Sequence, residues 1–247
     1  MLRFFAAPEQ FREDRVYLDN DEAHHIKKVM RLGTGAVVRI FDGQGREYEV
    51  ELIVERGAVW GRIIAQVPAV REPELKVTLA QGLAKGEKNE LVIQKATEVG
   101  VQAIIPLICE RSVMKLSPGR NKEERLRRVA REAAKQCQRS VVPTVEAACR
   151  IKDIVTRFSL YDTVLLLWEE EQACNLKQTL QELRQKRAIK QLLVLVGPEG
   201  GFTAAEAQEA IEHGAYSVSL GPRILRTETA GLVALSAIFY EFDELSL

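Results

Sequence analysis

Two loops in the last third of the chain concentrate residues able to do chemistry. The first, Gly197-Pro198-Glu199-Gly200-Gly201, follows the apolar run 191–196 and precedes Phe202-Thr203. Glycines between a strand and a helix let a ligand approach backbone amides, which can meet an anion or the polar edge of a heterocycle. This loop lacks both the Gly-Lys-Ser/Thr ending of a nucleotide triphosphatase and the Gly-x-Gly-x-x-Gly spacing of a dinucleotide fingerprint. Glu199 would repel a pyrophosphate, so a cationic or hydroxyl-rich ligand suits the loop better; a tight structural turn is the alternative. The second loop, residues 220–230, reads Leu-Gly-Pro-Arg-Ile-Leu-Arg-Thr-Glu-Thr-Ala and leads into an apolar helix. Thr227 as an N-cap would explain part of it. Arg223, Arg226 and Glu228 beside a strand end are not explained by capping.

The flanking pattern predicts how these loops are positioned. From residue 75 onward, apolar runs at 75–79, 103–108, 163–168, 191–196 and 216–220 alternate with helical periodicity at 87–99, 122–139, 176–187 and 229–242. Gly100 closes one helix, and Thr203-Ala204-Ala205-Glu206 is a capping box that opens another, ended by Gly214. Such alternation means an α/β fold with a parallel sheet covered on both faces. Ligands of such sheets bind beyond the carboxyl ends of the strands. Residues 1–70 read differently. A hairpin, 37–41 and 47–54, turns at Asp42-Gly43-Gln44-Gly45, a further strand spans 59–67, and one helix covers 21–32 up to Gly33. A small β-barrel with one helix is the simplest packing. Residues 67–73, with Pro68 and Pro73, read as a linker, giving domains at 1–70 and 74–247.

Composition narrows the class. A 46% hydrophobic, 28% charged chain is that of an ordinary globular protein, and a net charge of zero leaves any nucleic-acid signal to the distribution of its basic residues. Cys109, Cys137, Cys149 and Cys174 show no Cys-x-x-Cys spacing, which argues against a zinc site or a disulfide framework and points to a reducing, cytoplasmic compartment. No window approaches the roughly eighteen apolar residues of a membrane span. Met1-Leu2-Arg3-Phe4-Phe5 lacks the apolar core of a signal peptide, so no membrane association is expected. No metal-ligand cluster is visible.

The basic residues are uneven. Residues 111–139 hold ten Lys or Arg against three Glu. At about 100° per residue, Arg128, Arg131, Lys135 and Arg139 share one stripe of the 122–139 helix, and Leu126, Val129, Ala133 and Cys137 lie opposite. A solvated face is the ordinary explanation of a charge run. Arginines at helical spacing with few interleaved acids favour a surface for a phosphate backbone.

At the two loops the sequence resembles the ribosomal RNA small-subunit methyltransferase E family, in the SPOUT class of S-adenosylmethionine-dependent RNA methyltransferases. Residues 197–201 and 220–230 match its signature loops nearly residue for residue. The resemblance extends to Arg3, to His25 with Arg31, to Gln94-Lys95 with Glu98 and Gly100, to Glu110-Arg111 with Lys115, and to Gln136 with Arg139 before Val142-Pro143. Lys135 departs from it, since relatives often carry an acid there, and no catalytic role is carried onto that position.

The resemblance implies an N-terminal PUA-like β-barrel that helps hold RNA, a C-terminal SPOUT domain with a deep trefoil knot, and a homodimer with its active site across the interface. It implies methylation of N3 of a uridine in 16S ribosomal RNA, free or in the small subunit, with S-adenosylmethionine as cofactor and no metal. Arg226 is expected to stabilise the developing uracil anion, Glu228 to orient or deprotonate it, and Arg3 to be a second catalytic candidate. The cofactor is expected on Leu167, Trp168, Glu169, Gly197, Pro198, Glu199, Gly200, Gly201, Leu220, Gly221, Ile224, Leu225, Arg226, Thr229 and Ala230. His25, Arg31, Lys85, Lys95, Arg111, Arg128, Arg131, Arg139 and Arg223 are expected to meet RNA, with Lys95 alternatively snorkelling along its own helix. The last helix is apolar on more than one side, as a helix buried at a subunit contact would be. Two rival classes share many of these features: an RNA-binding protein without catalysis, and a methyltransferase acting on a ribose 2′-hydroxyl.

Overall fold

A computed structural model describes residues 1–68, 72–112, 120–186 and 188–245. The expected linker lies partly, and Lys115 wholly, outside these residues. The chain forms two compact units, Met1–Glu72 with Arg131–Val142, and Pro73–Ala130 with Pro143–Leu247. The segment 131–142 therefore packs in the first unit, which differs from a single division at 70–74.

In the first unit, β1 (Arg3–Phe5), β2 (Phe11–Arg12) and β3 (Arg15–Tyr17) precede α1 (Asn20–His24), followed by β4 (Val37–Phe41), β5 (Glu47–Val54) and β6 (Val59–Val67). The sheet order is β1-β4-β5-β6-β3-β2, with β1 parallel to β4 and the other pairs antiparallel. Strands from across this order supply one core, Phe4, Val16, Val38, Ile40, Val50, Leu52 and Val59, so the sheet curls about its own interior. Gly61 allows that curl, because a Cβ there would stand 2.0 Å from Val50 Cγ1. Asp19 caps α1 by accepting the Glu22 N–H. The expected 21–32 helix is α-helical only to His24, widens into a π turn over His25–Val29, and ends at Arg31 with φ 53°.

The second unit carries β7 (Lys76–Gly82), α2 (Lys88–Val99), β8 (Ala103–Ile108), the first part of α3 (Arg120–Gln136), β9 (Thr144–Val145), β10 (Cys149–Arg150), α4 (Ile151–Ile154), β11 (Thr163–Leu167), α5 (Leu176–Lys186), β12 (Gln191–Val196), α6 (Ala204–Glu212), β13 (Tyr216–Val218) and α7 (Thr227–Glu241). All its strand pairs are parallel, in the order β10-β8-β7-β12-β11-β13, with β9 also on β8. Alternate residues of these strands face opposite helix layers. Ala80, Leu166, Leu193 and Leu195 pack with Ile151 and Ile154 of α4 and Ala207 and Ala210 of α6, while Leu79 meets α7 at Gly231. Burial on both faces accounts for the continuous apolar runs. Because β12 lies between β7 and β11, strands distant in sequence become neighbours, and the loops after β7, β11, β12 and β13 open at one edge. The predicted strands at 103–108 and 191–196 and the Gly100 cap, at φ 118°, appear as expected.

Candidate active site

The glycine loop leaves β12 directly beside the end of β7. Gly82 makes that possible, since a Cβ there would meet Pro198 N at 2.3 Å and the Gly197 carbonyl carbon at 2.5 Å. Gly201 has φ 68°, and the Glu169 carboxylate occupies the place its Cβ would take, 1.7 Å from Oε1. Gly197 and Pro198 are buried, and Gly200 and Glu199 are exposed at the tip. Thr203 and Glu206 form the expected capping box of α6, and Glu206 also accepts the Glu110 N–H at 2.8 Å.

The start of α7 is tied into this loop. Arg226 occupies the N-cap position, not Thr227 as capping preference suggested. Thr227 is the first helical residue and is buried; its Oγ1 donates to Gly197 O at 2.5 Å and accepts from Gln81 Nε2 at 2.7 Å. One hydroxyl thereby joins β7, the glycine loop and α7. Gly82 also presents its carbonyl to Gln81 Nε2.

Charge is arranged around this tie. Glu199 Oε1 accepts the Lys85 N–H at 3.0 Å and the Lys88 ammonium at 3.1 Å. Burial works against ionisation of Glu199, but these donors outweigh it and hold the carboxyl below its ordinary value. Lys88 Nζ also stands 3.5 Å from Glu228 Oε2, which is buried and accepts no hydrogen bond among the described residues. Arg226 lies 4.0 Å from the other Glu228 oxygen, with its own side chain 81% exposed. Asn89 fixes the approach to α2 by pairing with both the N–H and the carbonyl of Ala84.

Of the other residues expected at a cofactor, Leu167 is buried, Trp168 half-buried, and Leu220 and Leu225 half-buried. Trp168 Nε1 is buried and donates to no acceptor among the described residues. Gly221 has φ 103° with open space around it, and Ile224 is 88% exposed. Thr229 is exposed and Ala230 half-buried, both donating their N–H to the Arg226 carbonyl. Near-naked glycine backbone, apolar side chains and an unpaired indole N–H suit a flat heterocycle. The Glu199 carboxylate suits a ligand bearing positive charge rather than phosphates.

Several expected contacts with RNA are already committed within the protein. Arg111 donates to the carbonyls of Gly200 and Phe202, at 3.0 and 3.2 Å, so it braces the glycine loop. Arg139 lies past the end of α3, after Gln138 at φ 68°, and is buried on Glu72 at 2.7 Å. The stripe drawn through residues 128–139 is therefore interrupted: Arg128 is exposed, Arg131 lies over Phe5, and Lys135 pairs with Glu22 at 2.7 Å. Lys95 pairs with Glu98 on its own helix at 2.9 Å. His25 packs its ring edge-on to Phe4, with Nδ1 3.9 Å from Glu22. Arg31, Lys85 and Arg223 are exposed.

Arg3, the second catalytic candidate, is likewise engaged within the protein. Its side chain is 10% exposed, it lies over Phe41, and its nitrogens donate to Glu47, Ala134 O, Arg139 O and Ser140 Oγ. It clasps segment 131–142 to the sheet of the first unit, a structural task that accounts for its place beside Glu47 without a hydrogen bond to the candidate site among the described residues.

Comparison with known proteins identifies the family. A family model for an RNA methyltransferase domain matches residues 71–239, and one for an RNA methyltransferase PUA domain matches 18–64. The Bacillus subtilis ribosomal RNA small subunit methyltransferase E is 37% identical over 98% of this chain and 98% of its own length. The chain belongs to the ribosomal RNA small subunit methyltransferase E family. A Synechocystis member is 36% identical over 96% of this chain and 76% of its own. A Neisseria gonorrhoeae member, solved bound to S-adenosyl methionine, shares 30% identity at a TM-score of 0.85, covering 97% of both chains. Among the described residues of this family member, no cluster of His, Cys, Asp or Glu could hold a metal, and no helix is long and apolar enough to cross a membrane.

Reading residues one by one missed Gln81, Lys88 and Asn89 of this site. The only signal for Lys88 was its place at the start of α2, where a lysine opposes the helix dipole.

Proposed function

We propose that this protein methylates N3 of a uridine in 16S ribosomal RNA, using S-adenosylmethionine, with the cofactor seated on the loops after β11, β12 and β13. The observation that carries this reading is the tie of Thr227 to Gly197, which joins a glycine cradle to a segment presenting Arg226 and Glu228. When bound, the cofactor supplies a sulfonium methyl already activated for transfer. The remaining difficulty is the nucleophile, because uracil N3 carries a proton until a group accepts it. Arg226, whose side chain is exposed, stabilises the charge that develops as the proton leaves. Glu228, with one buried oxygen that accepts no hydrogen bond among the described residues, orients the base or accepts that proton.

In this reading the first unit is a PUA-like barrel that holds RNA, and Arg128 and the exposed Arg31, Lys85 and Arg223 meet its phosphates. The second unit is a SPOUT domain with its knot at the cofactor loops. The protein acts as a homodimer in the cytoplasm. The dimer reading is supported by α7, where Val233 and Tyr240 are 42% and 75% exposed on a helix whose Ala234, Leu235, Ile238 and Phe239 are buried.

Mass spectrometry of nucleosides from a deletion strain tests the reaction. Loss of a base-methylated uridine supports it, whereas loss of a ribose methyl transfers the protein to the rival class. Arg226→Ala is expected to keep cofactor binding by calorimetry and lose turnover; full turnover in that variant removes Arg226 from the mechanism.

A further inference from the structure

Lys88 is the one cation placed between the two carboxylates of the site among the described residues. It opens α2, immediately after the turn that follows β7, and its side chain is 33% exposed. Its ammonium is 3.1 Å from Glu199 on the glycine loop and 3.5 Å from Glu228 in the first turn of α7. The two acids come from segments with no other charged partner for both. Arg226 approaches Glu228 alone, at 4.0 Å, and the other donor to Glu199 is the backbone of Lys85. Without a cation between them, two partly buried carboxylates would push the loops apart. A solvated lysine at a helix start has no reason to sit there, because the helix dipole disfavours it.

We propose that Lys88 is a positioning residue: its ammonium holds the glycine loop against the start of α7, so that the cofactor cradle and the Glu228 carboxylate keep one geometry. This rests on the methyltransferase reading. Hydrogen bonding to Glu199 uses one of the three N–H groups of the ammonium and leaves others for Glu228. The neutral tie through Thr227 sets the distance between the loops, and Lys88 sets their charge.

The test is calorimetric binding of S-adenosylmethionine to the full-length protein, beside steady-state kinetics on RNA. Failure of the wild-type protein to bind the cofactor overturns the parent reading and is seen before any variant is made. Given binding, Lys88→Met is expected to weaken it about tenfold and to raise the cofactor KM similarly, the scale of charge-assisted contacts discounted for solvent. Lys88→Arg is expected to recover most of the loss. Unchanged binding and KM in Lys88→Met overturns the proposal. So does a loss that Lys88→Arg does not rescue in a protein whose melting midpoint has fallen, because that is damage to the fold. In a Glu199→Gln background, the effect of Lys88→Met should shrink to a few-fold; full additivity of the two substitutions overturns the coupling.

Discussion

Thr227→Val separates the polar tie from the packing at that position. Valine is nearly isosteric, so the buried volume is kept while two hydrogen bonds are lost: the 2.5 Å bond to the Gly197 carbonyl and the 2.7 Å bond from Gln81 Nε2. Gln81 retains its bond to Gly82 O, but Gly197 O is left in a buried loop. One buried acceptor without a partner, plus one weakened donor, costs about 2–3 kcal/mol. For a chain of this size that lowers the melting midpoint by about 5–10 °C. Because the protein has two units, circular dichroism should be followed together with Trp168, which belongs to the second unit, to see which transition moves. Cofactor affinity should fall with it, since the glycine loop loses its register on α7. Thr227→Ser, which keeps the hydroxyl, should restore most of both effects. A Thr227→Val protein with the wild-type midpoint and wild-type cofactor affinity would refute the assignment of this hydroxyl as the joint of the site.

Other perturbations follow from the same geometry. Gly82→Ala forces a methyl into the backbone of Gly197 and Pro198 and is expected to cost on the order of 4 kcal/mol or more, whereas Gly33→Ala, with nothing within 4 Å, should be nearly silent in urea unfolding. Burial opposes ionisation of Glu47, yet Arg3 and Ser140 hold its folded-state carboxyl below the ordinary value. Its stabilising contribution is therefore complete above the unfolded carboxyl value and is lost as pH falls through the folded one; in Glu47→Gln the acid limb of the stability curve should flatten, measured by denaturation between pH 3 and 6, roughly. Arg128→Gln should weaken RNA binding and lower the slope of its salt dependence by about one counterion. Identical slopes would return Arg128 to the role of a solvated charge.

Much of the second unit was legible because its signals are local. The β8 and β12 runs, the Gly100 cap and the Thr203–Glu206 box each announce themselves within a few residues. The stretch 144–160 was not legible: strands of two residues and a helix of four are too short to show a period. The basic helix was read three residues too far because Arg139 keeps the helical spacing, while Gln138 takes a left-handed conformation that turns the chain away. The loops of the site were visible as composition, but their joint was not. Thr227 before an apolar helix has the look of a cap, and its partner Gln81 lies 146 positions away. Arg111 shows the converse, since an arginine that braces carbonyls and one that contacts phosphate are indistinguishable in a sequence.

The placement of segment 131–142 bears on how this protein can be taken apart. Its first unit is not a stretch of chain but two stretches, and the Arg3–Glu47 pair is finished by Ser140 and by the carbonyls of Ala134 and Arg139. A fragment ending at residue 72 strips that lid from a buried ion pair and removes Arg131 from the Phe5 ring. Removing the fragment instead leaves the end of α3, Arg131–Gln136, without the unit it packs in. A gene truncation therefore cannot isolate either unit; a separable module needs residues 131–142 spliced back on through a designed linker.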